Sequence, residues 1–401
     1  RRMMKSKIGE LFDWATMMDD YQRLLNCRLF EEVIIDQENP DYINNGIVIV
    51  ISFKELPPRQ ISASIAIDEN RDVMGELAFS HNNLTGHGDA LSLNWVKGDV
   101  KDNYSISLDV PWLNNRGTSV GFSLYHTTLK GLSYDTWKMI EGESSPVLLH
   151  NRYDERRRGG LFRLGQPLSS KWKTFFEYKN EFYEELPRDD FKGEFDQPAP
   201  YRSFQTNSAK FGLEFDSIFR ENPFYVKSGS LDRVEAEFAG DTPFGLNLGG
   251  GIQYQRYMAD LRQYFNVGKN QTFAVRLIGG KIIGEMEQAN LFQIGGSETL
   301  RGYYPRSFNG KKMLLGNFEY RFQFSVNSEN KEEETPYKMF EGVVFCDIGR
   351  TWEGTKVPDN YKYGYGVGLR ILILGFGQLR LDYGWSKENS GVLTFSMGET
   401  F

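Results

Sequence analysis

Residues 317–326 read Asn-Phe-Glu-Tyr-Arg-Phe-Gln-Phe-Ser-Val. Phe318, Tyr320, Phe322, Phe324 and Val326 fall on one face of an extended chain; Asn317, Glu319, Arg321, Gln323 and Ser325 fall on the other. Successive side chains of a strand point to opposite faces, so this segment needs apolar surroundings on one side and polar ones on the other. The pattern recurs. Tyr104, Ile106, Leu108 and Val110 alternate with Ser105, Ser107 and Asp109, and Leu379, Leu381, Tyr383 and Trp385 alternate with Gln378, Arg380 and Asp382. Charged residues repeatedly stand opposite aromatics.

Composition decides what lies on the apolar side. The 401 residues are 40% hydrophobic and 25% charged, the balance of a water-soluble chain. No run approaches the ~18 apolar residues of a membrane helix; the longest candidates are 46–53 and 371–376. Yet 14% of the chain is aromatic, and 41 glycines accompany those rings, which suits many short strands and tight turns. A transmembrane β-barrel escapes hydropathy in this way, because only alternate residues face lipid. The net charge of −7 argues against a nucleic-acid partner. Cys27 and Cys346 make neither a disulfide framework nor a CxxC pair.

The chain divides at Glu55-Leu-Pro-Pro, whose prolines break the pattern. Before it, apolar residues at helical spacing predict two helices, over 8–18 and 19–29, followed by strands at 30–35 and 46–53. The opening Arg1-Arg2-Met3-Met4 has no apolar run behind it, so the chain is expected to be a portion lacking its N-terminal part. After the boundary, period-two stretches predict roughly 16 strands, the first at 60–68, the tenth at 245–263 and the last at 390–401. The connections are asymmetric. Those from odd to even strands include the long ones, 130–154, 185–203 and 285–311, whereas even-to-odd turns are mostly short. One exception, 327–337, carries Glu332-Glu333-Glu334. Outer-membrane barrels have long outer loops and short periplasmic turns.

Catalytic chemistry is not visible. His81, His87, His126 and His150 have no ligand spacing, and no nucleophile elbow, phosphate loop or calcium loop is present. No enzyme, metal or cofactor is expected. Gly249-Gly250-Gly251 and Gly279-Gly280 read as strand interiors, bends or room beside a loop. Arg156-Arg157-Arg158 reads as a solvated charge run, with contact to anionic lipid head groups as the alternative.

One stretch carries a resemblance: Phe292-Gln-Ile-Gly295-Gly296-Ser-Glu-Thr-Leu300-Arg301-Gly302-Tyr303. It resembles the loop-six motif of the outer-membrane insertase and translocase superfamily, in which POTRA modules precede a 16-stranded barrel. The similarity runs closest to the BamA-type central subunit of the bacterial β-barrel assembly machine. Leu300, Arg301, Gly302 and Tyr303 match the loop tip; Glu319 and Asp347 match the wall acids that receive the arginine. Residues 216–229 are similar to a strand–turn–strand of that family. The final strand, ending on Phe401, resembles the C-terminal assembly signal of bacterial outer-membrane proteins.

The resemblance implies a partial POTRA domain over 1–57, in the periplasm. It implies a barrel over 58–401 in the bacterial outer membrane, with loop six (about 285–311) folded inward. It further implies insertion of unfolded outer-membrane proteins into the lipid bilayer, with accessory assembly lipoproteins as further partners. The expected seam joins the first strand, with Ile61 and Ile65, to the last, with Gly391, Leu393, Phe395, Gly398 and Phe401. Two alternatives stay open: an export pore of the two-partner-secretion type, and the membrane anchor of a patatin-like surface lipase.

Overall fold

A computed structural model describes residues 4–26, 29–41, 46–55, 58–67, 73–98, 101–114, 116–130, 136–138, 147–149, 153–187, 203–222, 225–286, 290–324, 340–355, 357, 360–373 and 377–397. It begins with one helix, α1 (Trp14–Asn26), and an antiparallel hairpin of β1 (Phe30–Asp41) and β2 (Gly46–Glu55). Met17 and Leu24, seven residues apart on α1, are buried with Val33 of β1, which ties the helix to the hairpin. The two predicted helices are therefore one. Its start is set by Asp13, whose carboxylate accepts the backbone N–H groups of Ala15 and Thr16, an N-cap that leaves the preceding residues non-helical. Those residues lie along the helix instead, with the N–H groups of Lys5 and Ser6 donating to the buried carboxylate of Asp20.

Next come β3 (Arg59–Ile67), β4 (Val73–His81), β5 (Ala90–Gly98), β6 (Lys101–Val110), β7 (Ser119–Leu129), the fragments β8 (Thr136–Lys138) and β9 (Val147–Leu149), and β10 (Tyr153–Pro167). They are followed by β11 (Trp172–Pro187), β12 (Ser203–Asp216), β13 (Phe219–Asn222), β14 (Tyr225–Ala239), β15 (Tyr254–Gly268) and β16 (Gln271–Gly284). The chain continues with β17 (Phe292–Ile294), β18 (Phe308–Gly310), β19 (Lys312–Phe324), β20 (Phe340–Trp352), β21 (Lys362–Ile373), β22 (Gly377–Ser386) and β23 (Val392–Met397). These strands close into one antiparallel barrel in which β23 borders β3. The four-residue β13 extends the turn after β12, so sixteen strands form the wall. β8–β9 and β17–β18 are small hairpins inside long connections.

The predicted tenth strand, 245–263, starts too early. Gly245, Gly249 and Gly250 adopt left-handed φ of 79°, 73° and 97°, and the segment folds back on β12 before β15 begins at Tyr254. A Cβ on Gly250 would stand 2.8 Å from the carbonyl oxygen of Gln205, so only glycine fits that approach. The acidic run at 332–334 lies outside the described residues.

The wall is inverted relative to a water-soluble protein. Leu77, Phe122, Leu261, Leu277, Val344 and Val367 are exposed, whereas Glu155, Glu237, Asp260, Glu319, Asp347 and Arg380 are buried. The wall strands turn most of their apolar residues outward and most of their charges to the lumen, and among the described residues no helix is long and apolar enough to cross a membrane. Only hydrocarbon outside the barrel makes this arrangement stable, because a closed barrel leaves no backbone edge unpaired in lipid. An arginine at Leu277, midway along β16 on the lipid face, is expected to destabilise the barrel by about 2–4 kcal/mol. Urea unfolding in phospholipid vesicles reads this directly, and an unchanged midpoint would contradict the assigned face.

Candidate functional site

The connection between β16 and β19 folds into the lumen. Gly295, Gly296 and Gly302 have left-handed φ of 124°, 88° and 84°, which lets β17 and β18 pair while the intervening tip turns inward. Ile294, Leu300 and Tyr303 are buried against Ile278 and Ile282 of β16 and Met313 and Leu315 of β19. At about 1.5–3 kcal/mol for each large apolar side chain removed from water, this cluster holds the loop in place. The room comes from glycines of the wall. A Cβ on Gly280 would overlap the ring of Phe292, one on Gly364 would overlap the carbonyl oxygen of Arg301, and one on Gly384 would sit 2.6 Å from the Gly302 nitrogen.

Arg301, 1% exposed, is the centre of the tip. Its Nε and Nη2 donate to the two carboxylate oxygens of Asp347 at 2.7 and 2.8 Å, a bidentate pair, and its backbone N–H donates to Oδ2 at 3.0 Å. Nη1 donates to Glu319. The guanidinium carbon lies 3.7 Å from the ring centroid of Phe345. Burial opposes the charge on Arg301, and the carboxylates of Asp347 and Glu319 overcome that cost, leaving the guanidinium above its ordinary range. The acids reach it because Asn317 and Asp347 are cross-strand partners on β19 and β20, while Glu319 lies one luminal position further along β19.

Further luminal groups complete the arrangement. Asn317 donates to Asp347 at 2.8 Å and to the carbonyl of Thr299 at 2.6 Å. Arg321 donates to the second oxygen of Glu319 at 2.7 Å. Arg370 pairs with Asp382 at 2.6 Å and lies 3.8 Å from Glu319. Arg380, fully buried, donates to Glu298 at 2.7 Å and to the carbonyl of Ser297 at 2.9 Å. Arg276 of β16 reaches the Glu298 carbonyl at 3.2 Å, and Asn389 donates to the Gly302 carbonyl at 3.0 Å. The loop is thus held from β16, β19, β20 and β22 at once.

Of the residues expected to act, the structure brings Leu300, Arg301, Gly302, Tyr303, Glu319 and Asp347 together. The Tyr303 ring packs 5.2 Å from that of Phe308, and a Cβ on Gly302 would stand 2.6 Å from the Trp385 carbonyl oxygen. The seam residues are spread along two strands. Ile61 on β3 and Leu393 on β23 are 82% and 67% exposed on the outer face. Gly391 precedes β23, close under the Tyr383 phenol. Phe395 pairs with Leu381 through the backbone; its side chain and that of Ile65 are not described, and Gly398 and Phe401 lie outside the described residues. Sequence reasoning did not select Arg276, Arg370, Arg380 or Asp382 as holders of the loop. Their alternation with aromatics assigns Arg380 and Asp382 to the lumen, but not to this tip.

Removing Arg301 leaves the buried carboxylate of Asp347 without its cation and takes one of three from Glu319. Arg301→Ala is expected to cost about 3–5 kcal/mol, read as earlier loss of the folded, fast-migrating form on heating in detergent. Arg301→Lys, a point charge that cannot bridge both acids bidentately, is expected to recover only part of this.

Comparison with known proteins places the molecule. The Omp85 superfamily domain matches residues 83–401. Outer envelope protein 80 from the chloroplast of Arabidopsis thaliana is 22% identical, the match covering 99% of this chain and 53% of that protein. The outer membrane protein assembly factor BamA of Neorickettsia risticii is 25% identical over 95% of this chain and 49% of its own length. The chain thus spans about half of each of these relatives. Among solved structures, BamA from Haemophilus ducreyi lacking POTRA domains 1–3 shares the fold, with a TM-score of 0.66 at 14% identity, covering 98% of this chain and 81% of that one. The family match takes in nearly the whole barrel and its inward-folded loop, and the chain belongs to the Omp85 superfamily of outer-membrane barrel proteins.

Proposed function

We propose that the chain folds and inserts other β-barrel proteins into an outer membrane by lateral opening of the border between β3 and β23. The observation that carries this reading is the fall in strand length around the ring. The described parts of β10, β11, β14 and β15 have 15 or 16 residues, whereas those of β3, β4 and β5 have nine each, that of β22 ten and that of β23 six. At about 3.3 Å per residue and a tilt near 45°, nine residues rise ~21 Å, at the lower end of the ~9–11 residues with which a tilted strand crosses a bilayer. A wall with few ladder bonds at this border opens at low cost. An opened edge presents unpaired N–H and C=O groups to an incoming strand.

On this reading Arg301 is structural. It fixes loop six to the wall formed by β19 and β20, so that opening is confined to the other side of the barrel. Residues 1–57 are part of a POTRA module on the periplasmic side. Among the described residues their two-stranded sheet has open outer edges, on which an unfolded client could add a strand. Clients are unfolded outer-membrane proteins, with assembly lipoproteins as accessory partners. The membrane is the bacterial outer membrane or its plastid counterpart, since relatives of both origins match almost the whole chain.

The test is reconstitution in liposomes with a urea-unfolded barrel protein as client. Faster client folding is expected, abolished by an engineered disulfide between β3 and β23 and restored on reduction. Undiminished acceleration by the locked barrel would remove the lateral opening. No acceleration, accompanied by ion conductance, would instead favour an export pore.

A further inference from the structure

We infer that the outer wall across β5–β11, on the side of the long connections, binds an anionic glycerophospholipid, with its phosphate at Arg158 and its two acyl chains in adjoining apolar furrows. The three-arginine run is divided by strand parity. Arg157 turns to the lumen, where it pairs with the buried Glu155 and lies 3.7 Å from Glu181. Arg156 and Arg158 turn outward. Arg158 is flanked across the ladder by His126 of β7 and Phe182 of β11, and its guanidinium carbon lies 4.8 Å from the Phe182 ring centroid. Among the described residues no carboxylate lies within ion-pair distance of Arg158. Arg156 is already matched, 3.4 Å from Glu184.

The level of Arg158 is that of the membrane–water boundary. Following the registers sideways, Arg158 aligns with His126, then Tyr104, Trp95 and Leu77. Trp95 and Tyr104 stack at 6.2 Å with outward rings 45% and 47% exposed. Aromatic girdles of this kind mark the interface in outer-membrane barrels, and phosphates of the head groups lie just beyond them.

Beneath this row the wall is furrowed. One furrow of about 640 Å³ runs between Leu77, Leu93, Trp95, Tyr104 and Ile106, with His126 at its head. A second, of about 790 Å³, lies between Ile106, Phe122, Leu124, Phe162 and Tyr178. The two share Ile106 and Leu124 as a common ridge. Gly160, two residues from Arg158 on the same outward face, lines the second furrow, and a Cβ there would stand 3.1 Å from a Leu124 methyl carbon. From Arg158 through Gly160 and Phe162 to Leu164 the strand runs ~20 Å, and its tilt brings this close to half of the ~30 Å hydrocarbon core. One exposed cation above two parallel grooves fits one anionic head and two chains. A free anion would leave the furrows unused, and a zwitterionic head would bring no net charge to match the Arg158 guanidinium.

The test is native mass spectrometry of the full chain in detergent with equal phosphatidylglycerol and phosphatidylcholine, each variant first shown to be folded by its unheated electrophoretic mobility. The wild type is expected to retain phosphatidylglycerol preferentially. Arg158→Gln should lower that retention roughly fivefold, and Gly160→Leu should lower it with the charge intact, while Lys281→Gln, an outward cation on β16, should leave it unchanged. No preference in the wild type, or full retention by Arg158→Gln, would overturn the site. Full retention by Gly160→Leu, or displacement of the lipid by inorganic phosphate at similar concentration, would overturn the seating of the chains.

Discussion

Hydrocarbon offers no partner to a backbone N–H or C=O, and the architecture follows from that constraint. A strand in lipid must be paired on both edges, so the sheet has to close on itself. Closure creates an inside and an outside with opposite chemistry, and the period of two distributes the side chains between them. Exposed Leu77, Phe122 and Val344 and buried Glu319, Asp347 and Arg380 are consequences of the same rule. At the border between β3 and β23 the described strands are among the shortest of the wall.

A closed wall of sixteen strands encloses a lumen that short side chains cannot fill. Loop six occupies part of it and brings its own apolar side chains, Ile294, Leu300 and Tyr303, together with one cation. A buried guanidinium is costly unless it is fully paired, and Arg301 is paired by Asp347, Glu319 and the face of Phe345. Arg321, Arg370 and Arg380 in turn balance Glu319, Asp382 and Glu298. The network gives the loop a single orientation as well as holding it in the lumen. Most members have more than one partner, Glu319 being reached by Arg301, Arg321 and Arg370, whereas Asp347 depends on Arg301.

Much of the wall was legible beforehand. The stretch at 317–326 takes in β19 from Asn317 to Phe324, and its polar row, Asn317, Glu319 and Arg321, is the luminal one. The tenth strand was misplaced because Gln253 to Arg262 and the glycine-rich segment before it share a similar apolar content. Only the positive φ of Gly245, Gly249 and Gly250 separates loop from strand. The helix was divided in two because apolar spacing alone does not weigh the cap at Asp13. Arg380 and Asp382 were legible as polar-face residues; their closeness to Ser297 and Glu298 was not, since it spans more than eighty residues of chain.

The sequence by itself determined the class of structure, because alternation is a local property and lipid on one side of it leaves a closed antiparallel barrel as the solution. It also singled out the arginine and two acids, through the resemblance of a short motif and through the face on which Glu319 falls. Only the tertiary structure decided which strands carry the loop, which glycines make room for it, and which arginines of the 156–158 run face water or lipid. Those depend on cross-strand register and on the path of a long connection through the lumen. Both are set by closing the ring, which no segment of the chain encodes alone.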